Sequence, residues 1–316
     1  MAHRTTGQWK LGLTLALTAS GLWGVLPIAL ELTLGGLDPY TITWYRFAVS
    51  SLLLGLILTA SSGLPVMKSL SGRGWVLLGV ALGGLVSNYV LYLVALSHVG
   101  PIVAQMVIQL APMFLLLGGV LVFKEGFSGV RRIGFVVLTL GLLLFFNRRL
   151  AEFRHLSAGL GLGVALMVMA ALTWAAYGLA QKRLLEWLRP QQILWLLYLG
   201  AIVVLLPPAS LGAVRHLNVL QFWMLAFCSL NTLIAYGAFA EALEHWEVSR
   251  VSAVTMVAPL ITIASSWLIE RFVPGLLAPD RLNVPSLIGA LLVVGGSATC
   301  ALAIPSVSIA PEKASA

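Results

Sequence analysis

Charge is what this chain has least of. Lysine and arginine total 19 and aspartate and glutamate 11, so charged residues make up 9% of the 316 positions, where a soluble domain carries about a quarter. A water-soluble surface cannot be assembled from so few charges. Cysteine is nearly absent, and Cys228 and Cys300 both lie inside apolar runs, which excludes a disulfide framework. The five histidines, His3, His98, His155, His216 and His245, fall in predicted loops or tails without metal-ligand spacing, so neither a metal nor another cofactor is expected. No Walker loop is present to cradle a phosphate, which leaves ATP-driven pumping by this chain unsupported. Segments of about 10 residues alternating apolar and polar, the mark of a membrane barrel, are missing too. A membrane-embedded enzyme acting on lipid or isoprenoid would need clustered Asp, Glu or His, and the eleven acids are scattered.

What the chain does have is apolar length. Hydrophobic residues make up 59% and the mean hydropathy is +0.98. One membrane-spanning helix needs about 20 mainly apolar residues. Continuous runs predict ten spans, at 11–31, 40–60, 74–96, 101–123, 131–147, 159–182, 190–209, 219–241, 250–270 and 285–304. The fold class expected is therefore an all-α integral membrane protein with ten transmembrane helices. Turn chemistry fills the gaps, as at Gly35-Gly36, Asp38-Pro39, Ser61-Ser62-Gly63 and Pro190. The run from Leu11 to Leu30 follows Arg4 and Lys10 as a signal peptide would, but it lacks a small-residue cleavage site and is taken as a retained helix.

The net charge of +8 and pI near 9.9 would suit a nucleic acid if the cations formed a patch. They sit instead in short gaps between apolar runs, where they orient helices, so no nucleic-acid partner is expected. With the N-terminus in the cytoplasm, twelve Lys and Arg fall on that side and six (Arg148, Arg149, Arg154, Arg215, Arg271 and Arg281) on the other. Both termini are thus expected in the cytoplasm, with the Arg148–Arg154 cluster as a basic linker on the outer side.

The chain also repeats itself. Tyr89–Pro112 and Tyr236–Pro259 agree at seven of 24 positions when shifted by 147, including Tyr89/Tyr236, His98/His245 and Pro112/Pro259; Trp23 pairs with Trp174 and Glu125 with Glu270 at slightly different shifts. A repeat unit of five helices is odd-numbered, so its second copy must lie inverted in the membrane. Inverted repeats are the architecture of many secondary transporters, whose substrate site lies near the midplane between the halves. The expected organisation is 1–150 as the first five-helix repeat, 156–306 as the second, inverted one, and 307–316 as a cytoplasmic tail.

Several segments then resemble one family. Trp23-Gly24, Trp44-Tyr45-Arg46-Phe47, Ala111-Pro112-Met113-Phe114 with Phe123-Lys124-Glu125, and Arg132-Ile133-Gly134 with Gly141-Leu142-Leu143 occur in order in the first half. Leu172-Thr173-Trp174-Ala175-Ala176-Tyr177, Ala258-Pro259-Leu260 and Ile269-Glu270-Arg271 follow in the second. This ordered set is similar to the drug/metabolite transporter superfamily, in its two-domain EamA branch. The resemblance implies a ten-helix carrier in which helices one to four and six to nine enclose a cavity and helices five and ten are peripheral. It also implies export of an amino acid or amino-acid-derived compound, an opine-type metallophore included, across an inner membrane by alternating access. The stretch Glu241–Arg250 departs from its counterpart around His98 in its charge. Uptake remains the alternative within the carrier class. A channel would favour rings of like residues.

Polar residues inside spans are costly and commonly functional. Gln105 and Gln109, four apart, share a face of the fourth span; Asn88 and Tyr92 share one on the third; Asn231 enters the eighth; Trp174, Tyr177 and Gln181 form a stripe on the sixth, with Trp23 on the first. These nine are the candidate substrate-binding residues, and for each the other reading is hydrogen bonding or packing between helices. Arg46 is expected near the outer headgroups in a structural role. Glu31, Glu125 and Glu270 are expected at solvated helix ends, and Glu241 at a span rim is a candidate for a proton-linked step. Pro27, Pro112 and Pro259 should each interrupt a helical ladder, with Pro112 and Pro259 as candidate hinges. The partners expected are a small-molecule substrate and the lipid bilayer; the oligomeric state stays open.

Overall fold

The computed structural model describes residues 8–65, 70–123, 129–147, 158–246, 248–277 and 282–302. The Arg148–Arg154 cluster, the repeat junction, Lys124, Glu125, His3, His155, Arg281 and the 307–316 tail lie outside the described residues.

Among the described residues every regular element is helical. In chain order these are α1 (Trp9–Leu34), α2 (Pro39–Ala60), α3 (Gly72–Val107), α4 (Leu110–Phe123), α5 (Gly129–Phe145), α6 (Ala158–Leu184), α7 (Pro190–Leu205), a 3-10 turn (Leu211–His216), α8 (Val219–His245), α9 (Val248–Thr255), α10 (Ala258–Phe272) and α11 (Val284–Leu302). Among the described residues six helical segments are long and apolar enough to cross a membrane, and three shorter ones are apolar. Local chemistry sets several starts: Asp38 Oδ1 accepts from the Tyr40 and Thr41 amides with Pro39 beside it, Ser71 caps α3, and Asn218 with Gln221 forms a capping box on α8.

Two expected spans are not continuous helices. The segment 101–123 begins as the end of α3, bent at Gly100 (φ 73), and breaks between Val107 and Leu110; 250–270 breaks between Thr255 and Ala258. The reason is the same in both. Proline four residues on cannot donate to a carbonyl, so Ile108 loses Pro112 and Thr255 loses Pro259, and the chain tightens to three-residue bonds such as Ala111 N–H to Ile108 O (2.8 Å) and Leu260 N–H to Val257 O (2.9 Å). Pro112 and Pro259 therefore sit in the first turn of a new helix, where a missing N–H costs nothing. Pro27 lies buried inside α1, which continues past it; lacking an N–H, it leaves the carbonyl four residues back without its ladder bond but does not end the helix. His98 lies on α3, not in a loop.

The most extensive packing joins α3 to α6, α5 to α11 and α1 to α8, with α2 against α7. Each pair couples an early helix to a late one, and each is antiparallel, since partner numbers fall as residue numbers rise. Gly12 faces Trp246 and Gly36 faces Gln221; Gly134 faces Gly296 and Gly141 faces Gly289. At the glycines of α5 and α11 the backbones touch, so that a Cβ on Gly289 would lie 2.3 Å from Phe145 N and one on Gly296 2.4 Å from Leu138 N. Close approach through small residues is the packing that suits helices in lipid, where burying apolar side chains gives little drive.

Several contacts are reciprocal. Trp44 Nε1 donates to Ile202 O (3.1 Å) and Trp195 Nε1 to Ser51 O (3.2 Å), and one shift of 151 carries Trp44 to Trp195 and Ser51 to Ile202. The same shift carries Phe47 to Tyr198, which stack on each other at 5.3 Å. Gln109 Nε2 donates to Met256 O (3.3 Å), its own counterpart 147 residues on. Tyr89 and Tyr236, also 147 apart, interact through their side chains.

Candidate functional site

One cavity of about 840 Å³ lies among these helices. One end of it is lined by Leu30 of α1, Arg46 of α2, Asn88 and Tyr92 of α3, and Asn231 and Thr232 of α8. The proline breaks border it, through Ile108, Gln109, Pro112, Thr255 and Met256. Its walls are aromatic and aliphatic, with Trp23, Trp174, Tyr236, Phe239, Leu26, Leu115 and Leu179. Trp23 meets Tyr236 edge-on (5.4 Å) and Phe239 at a tilt (5.6 Å), which holds the indole in place.

The cavity reaches one face of the helix bundle. Arg131 is the third residue of α5 and Lys182 the third from the end of α6, and both line it. The opposite face is tied shut: the Tyr45 hydroxyl donates to Leu211 O (2.9 Å), the Ser210 amide to Thr41 Oγ1 (2.7 Å), and Gly35 and Gly36 abut the Gln221 side chain.

Seven of the nine candidate residues converge on this cavity: Trp23, Asn88, Tyr92, Gln105, Gln109, Trp174 and Asn231. Gln105 and Gln109 do so although the helix breaks between them. Several are already engaged. Asn88 Nδ2 donates to Ala170 O (2.8 Å), Asn231 Nδ2 to Leu22 O (2.9 Å), and the Tyr92 hydroxyl to Gln105 Oε1 (3.4 Å). The two asparagines thus fasten α3 to α6 and α8 to α1 while bordering the cavity. Asn231 Oδ1 is buried with no partner.

The sixth-span stripe divides. Trp174, Gly178 and Lys182 recur every four residues and face the cavity. Tyr177 falls on the neighbouring face, buried in a cluster with Phe47, Tyr89 and Tyr198, with Gln181 one turn on beside it. Neither lines the cavity. Of the candidate hinges Pro112 lines it, and Pro259 is buried beside Ala258, which does.

Arg46 is the largest departure from expectation. It does not reach outward to headgroups; it is 4% exposed and lines the cavity, with Nε donating to Thr232 Oγ1 (3.2 Å) and the guanidinium 4.6 Å from the Tyr89 ring centroid. The cue was present, since an ionisable residue at membrane depth marks a site by default. In the sequence Lys182 and Arg131 read only as orienting charges, and Tyr89 and Tyr236 only as repeat markers. Among the described residues that line the cavity three are cationic and none is Asp or Glu. Glu241 stands away from it, 55% exposed and 3.2 Å from His245.

Comparison with known proteins agrees with this architecture. The model of the EamA-like transporter family matches twice, over residues 10–147 and 161–302. A protein of Haemophilus influenzae called an uncharacterized transporter is 40% identical over 93% of this chain and 96% of its own. The uncharacterized inner membrane transporter YhbE of Escherichia coli K12 is 38% identical over 92% of this chain and 91% of its own. More distantly, an Escherichia coli K12 protein called a probable amino-acid metabolite efflux pump is 22% identical over 89% and 92%.

Proposed function

Because the chain belongs to the EamA-like transporter family, we propose that this multi-pass membrane transporter is a secondary carrier exporting a small polar metabolite, an amino acid or amino-acid-derived compound, across an inner membrane. The observation that carries this reading is the cavity itself. It is enclosed by helices from both halves of the chain, lined by polar amides among aromatic walls, and reaches one face while the other is tied shut. Sites of this kind hold small ligands by a few placed polar groups in an apolar surround.

The two halves are inverted five-helix repeats, 1–150 and 156–306, related by a two-fold axis. Reciprocity supports this. At a two-fold, residue i of one unit meets j of the other while j meets i, and residues on the axis meet their own counterparts. Trp44–Ile202 with Trp195–Ser51 is a contact of the first kind; Phe47–Tyr198, Tyr89–Tyr236 and Gln109–Met256 are of the second. Alternating access then amounts to exchanging the tied face for the other. Trp23, Asn88, Tyr92, Gln105, Gln109, Trp174 and Asn231 contact the substrate, and Pro112 and Pro259 let the helices pivot at their breaks.

Export is favoured by the named efflux function of the 22% identical relative. With the basic ends of α5 and α6 in the cytoplasm, the cavity faces the side from which an exporter loads. The test is transport of a labelled amino-acid panel into inside-out and right-side-out proteoliposomes, with and without a proton gradient. Substrate-dependent flux supports the carrier. Its absence in both orientations, with turnover of a lipid substrate instead, would overturn it.

A further inference from the structure

Arg46 poses a physical problem that the fold does not solve by itself. A guanidinium at membrane depth, 4% exposed, is retained only where something compensates its charge. Among the described residues its contacts are neutral: the Thr232 hydroxyl, reached through Nε, and the face of Tyr89. Those contacts leave the two terminal nitrogens, with four N–H groups between them, uncommitted. Among the described residues the cavity it lines has no Asp or Glu. Its counterpart under the 151-residue shift is Leu197, so the charge serves no symmetric packing role. Beside it on α8, next to Thr232, stands Asn231, 2% exposed, whose Oδ1 has no donor. A cation with spare donors and a buried unused acceptor thus share one end of the cavity.

We propose that Arg46 is the anchor for a carboxylate on the transported molecule, held in the bidentate fashion of guanidinium–carboxylate pairs, with Asn231 Oδ1 accepting from a donor on the same molecule, an α-ammonium or amide N–H. This rests on the carrier reading and narrows it. The aromatic and leucine-rich remainder of the cavity takes an apolar side chain. The cargo class is therefore an apolar α-amino acid or a conjugate that keeps its free carboxylate, not an amine, an alcohol or a cation. The arrangement also explains why the residue is Arg, since a lysine offers no planar fork to a carboxylate.

The test uses the full-length protein in proteoliposomes loaded for counterflow with three matched probes: L-phenylalanine, L-leucine and glycyl-L-phenylalanine as free acids, and the same three as C-terminal amides. The wild type should move the acids and discriminate against the amides by roughly 10- to 100-fold, the range of a hydrogen-bonded charge. In Arg46→Met that preference should vanish, through loss of acid flux. Arg46→Lys should retain part of it. Asn231→Leu should reduce flux of the acids while leaving their advantage over the amides. The acid-to-amide ratio of the wild type needs no variant, so a variant that misfolds does not spare the proposal. Equal flux of acids and amides in the wild type would overturn the anchor and leave the carrier standing. No counterflow of any probe, together with none for the remaining free amino acids, would overturn the carrier reading and the anchor with it.

Discussion

Gln109 and Gln181 carry the same amide, yet one borders the cavity and the other lies outside it beside Tyr177. Gln109→Ala should therefore lower transport in proteoliposomes at unchanged membrane abundance, while Gln181→Ala should leave the rate within about twofold, as for a residue without substrate contact. Equal losses in both would place the site elsewhere. Asn88 separates packing from contact in another way. Its bond to Ala170 O crosses from α3 to α6, and Asn88→Leu should lower stability by about 0.6–2 kcal/mol, the range of interhelical hydrogen bonds in membranes. Thermal unfolding in detergent reads that change. Sequence reasoning found both residues by type and depth. It did not find Arg46, because a cation seven residues into a helix looks able to reach the headgroups, and only the fold shows that Thr232 and Tyr89 hold it inward.

Helices here meet through backbone as much as through side chains. At Gly289 and Gly296 an added Cβ would collide with the backbone of α5, whereas Gly295 has open space around it. Gly289→Leu should destabilise the folded protein by about 3 kcal/mol or more, the upper range for forcing volume into a packed contact. Gly295→Ala should be neutral or slightly stabilising, as in any helix interior. The proline breaks make a different prediction. Restoring the ladder with Pro112→Ala and Pro259→Ala together should raise the unfolding midpoint but slow transport, because the pivots at 108–109 and 256–257 stiffen. A double variant with undiminished turnover would remove those breaks from the mechanism. Helix spans were legible from apolar runs to within a few residues. The breaks were not, because a proline read as a kink within a helix turned out to begin a new one.

At the scale of the molecule, the positive-inside count predicts both termini in the cytoplasm. A fluorescent-protein fusion to either end should fluoresce, and an alkaline phosphatase fusion to either should be inactive. Arg215, in the 3-10 turn tied to α2, would then face outward. In a background lacking Cys228 and Cys300, Arg215→Cys should react with an impermeant maleimide on intact cells. Labelling only after permeabilisation would reverse the assigned orientation. The repeat was visible as seven identities in 24 positions, but what it does physically was not. Only packing makes Trp44 donate to Ile202 and Trp195 to Ser51, each on the other's helix, and sets Gln109 against its own counterpart.

The sequence by itself determined the solvent of this protein and its element lengths. Apolar runs of about 20 residues have no stable alternative to membrane helices, since backbone groups in lipid must bond within their own segment. It also determined the duplication, because equivalent residues keep their spacing in a chain whether or not they touch. The tertiary structure decided which face of each helix looks inward. A helix in lipid has no hydrophobic stripe to point it toward a core, so Trp174 and Tyr177 are equal candidates until α3 packs on one side of α6 and leaves the other to the cavity. For the same reason Arg46 acquired its surroundings, the Thr232 hydroxyl and the Tyr89 ring, only when α2, α3 and α8 came together.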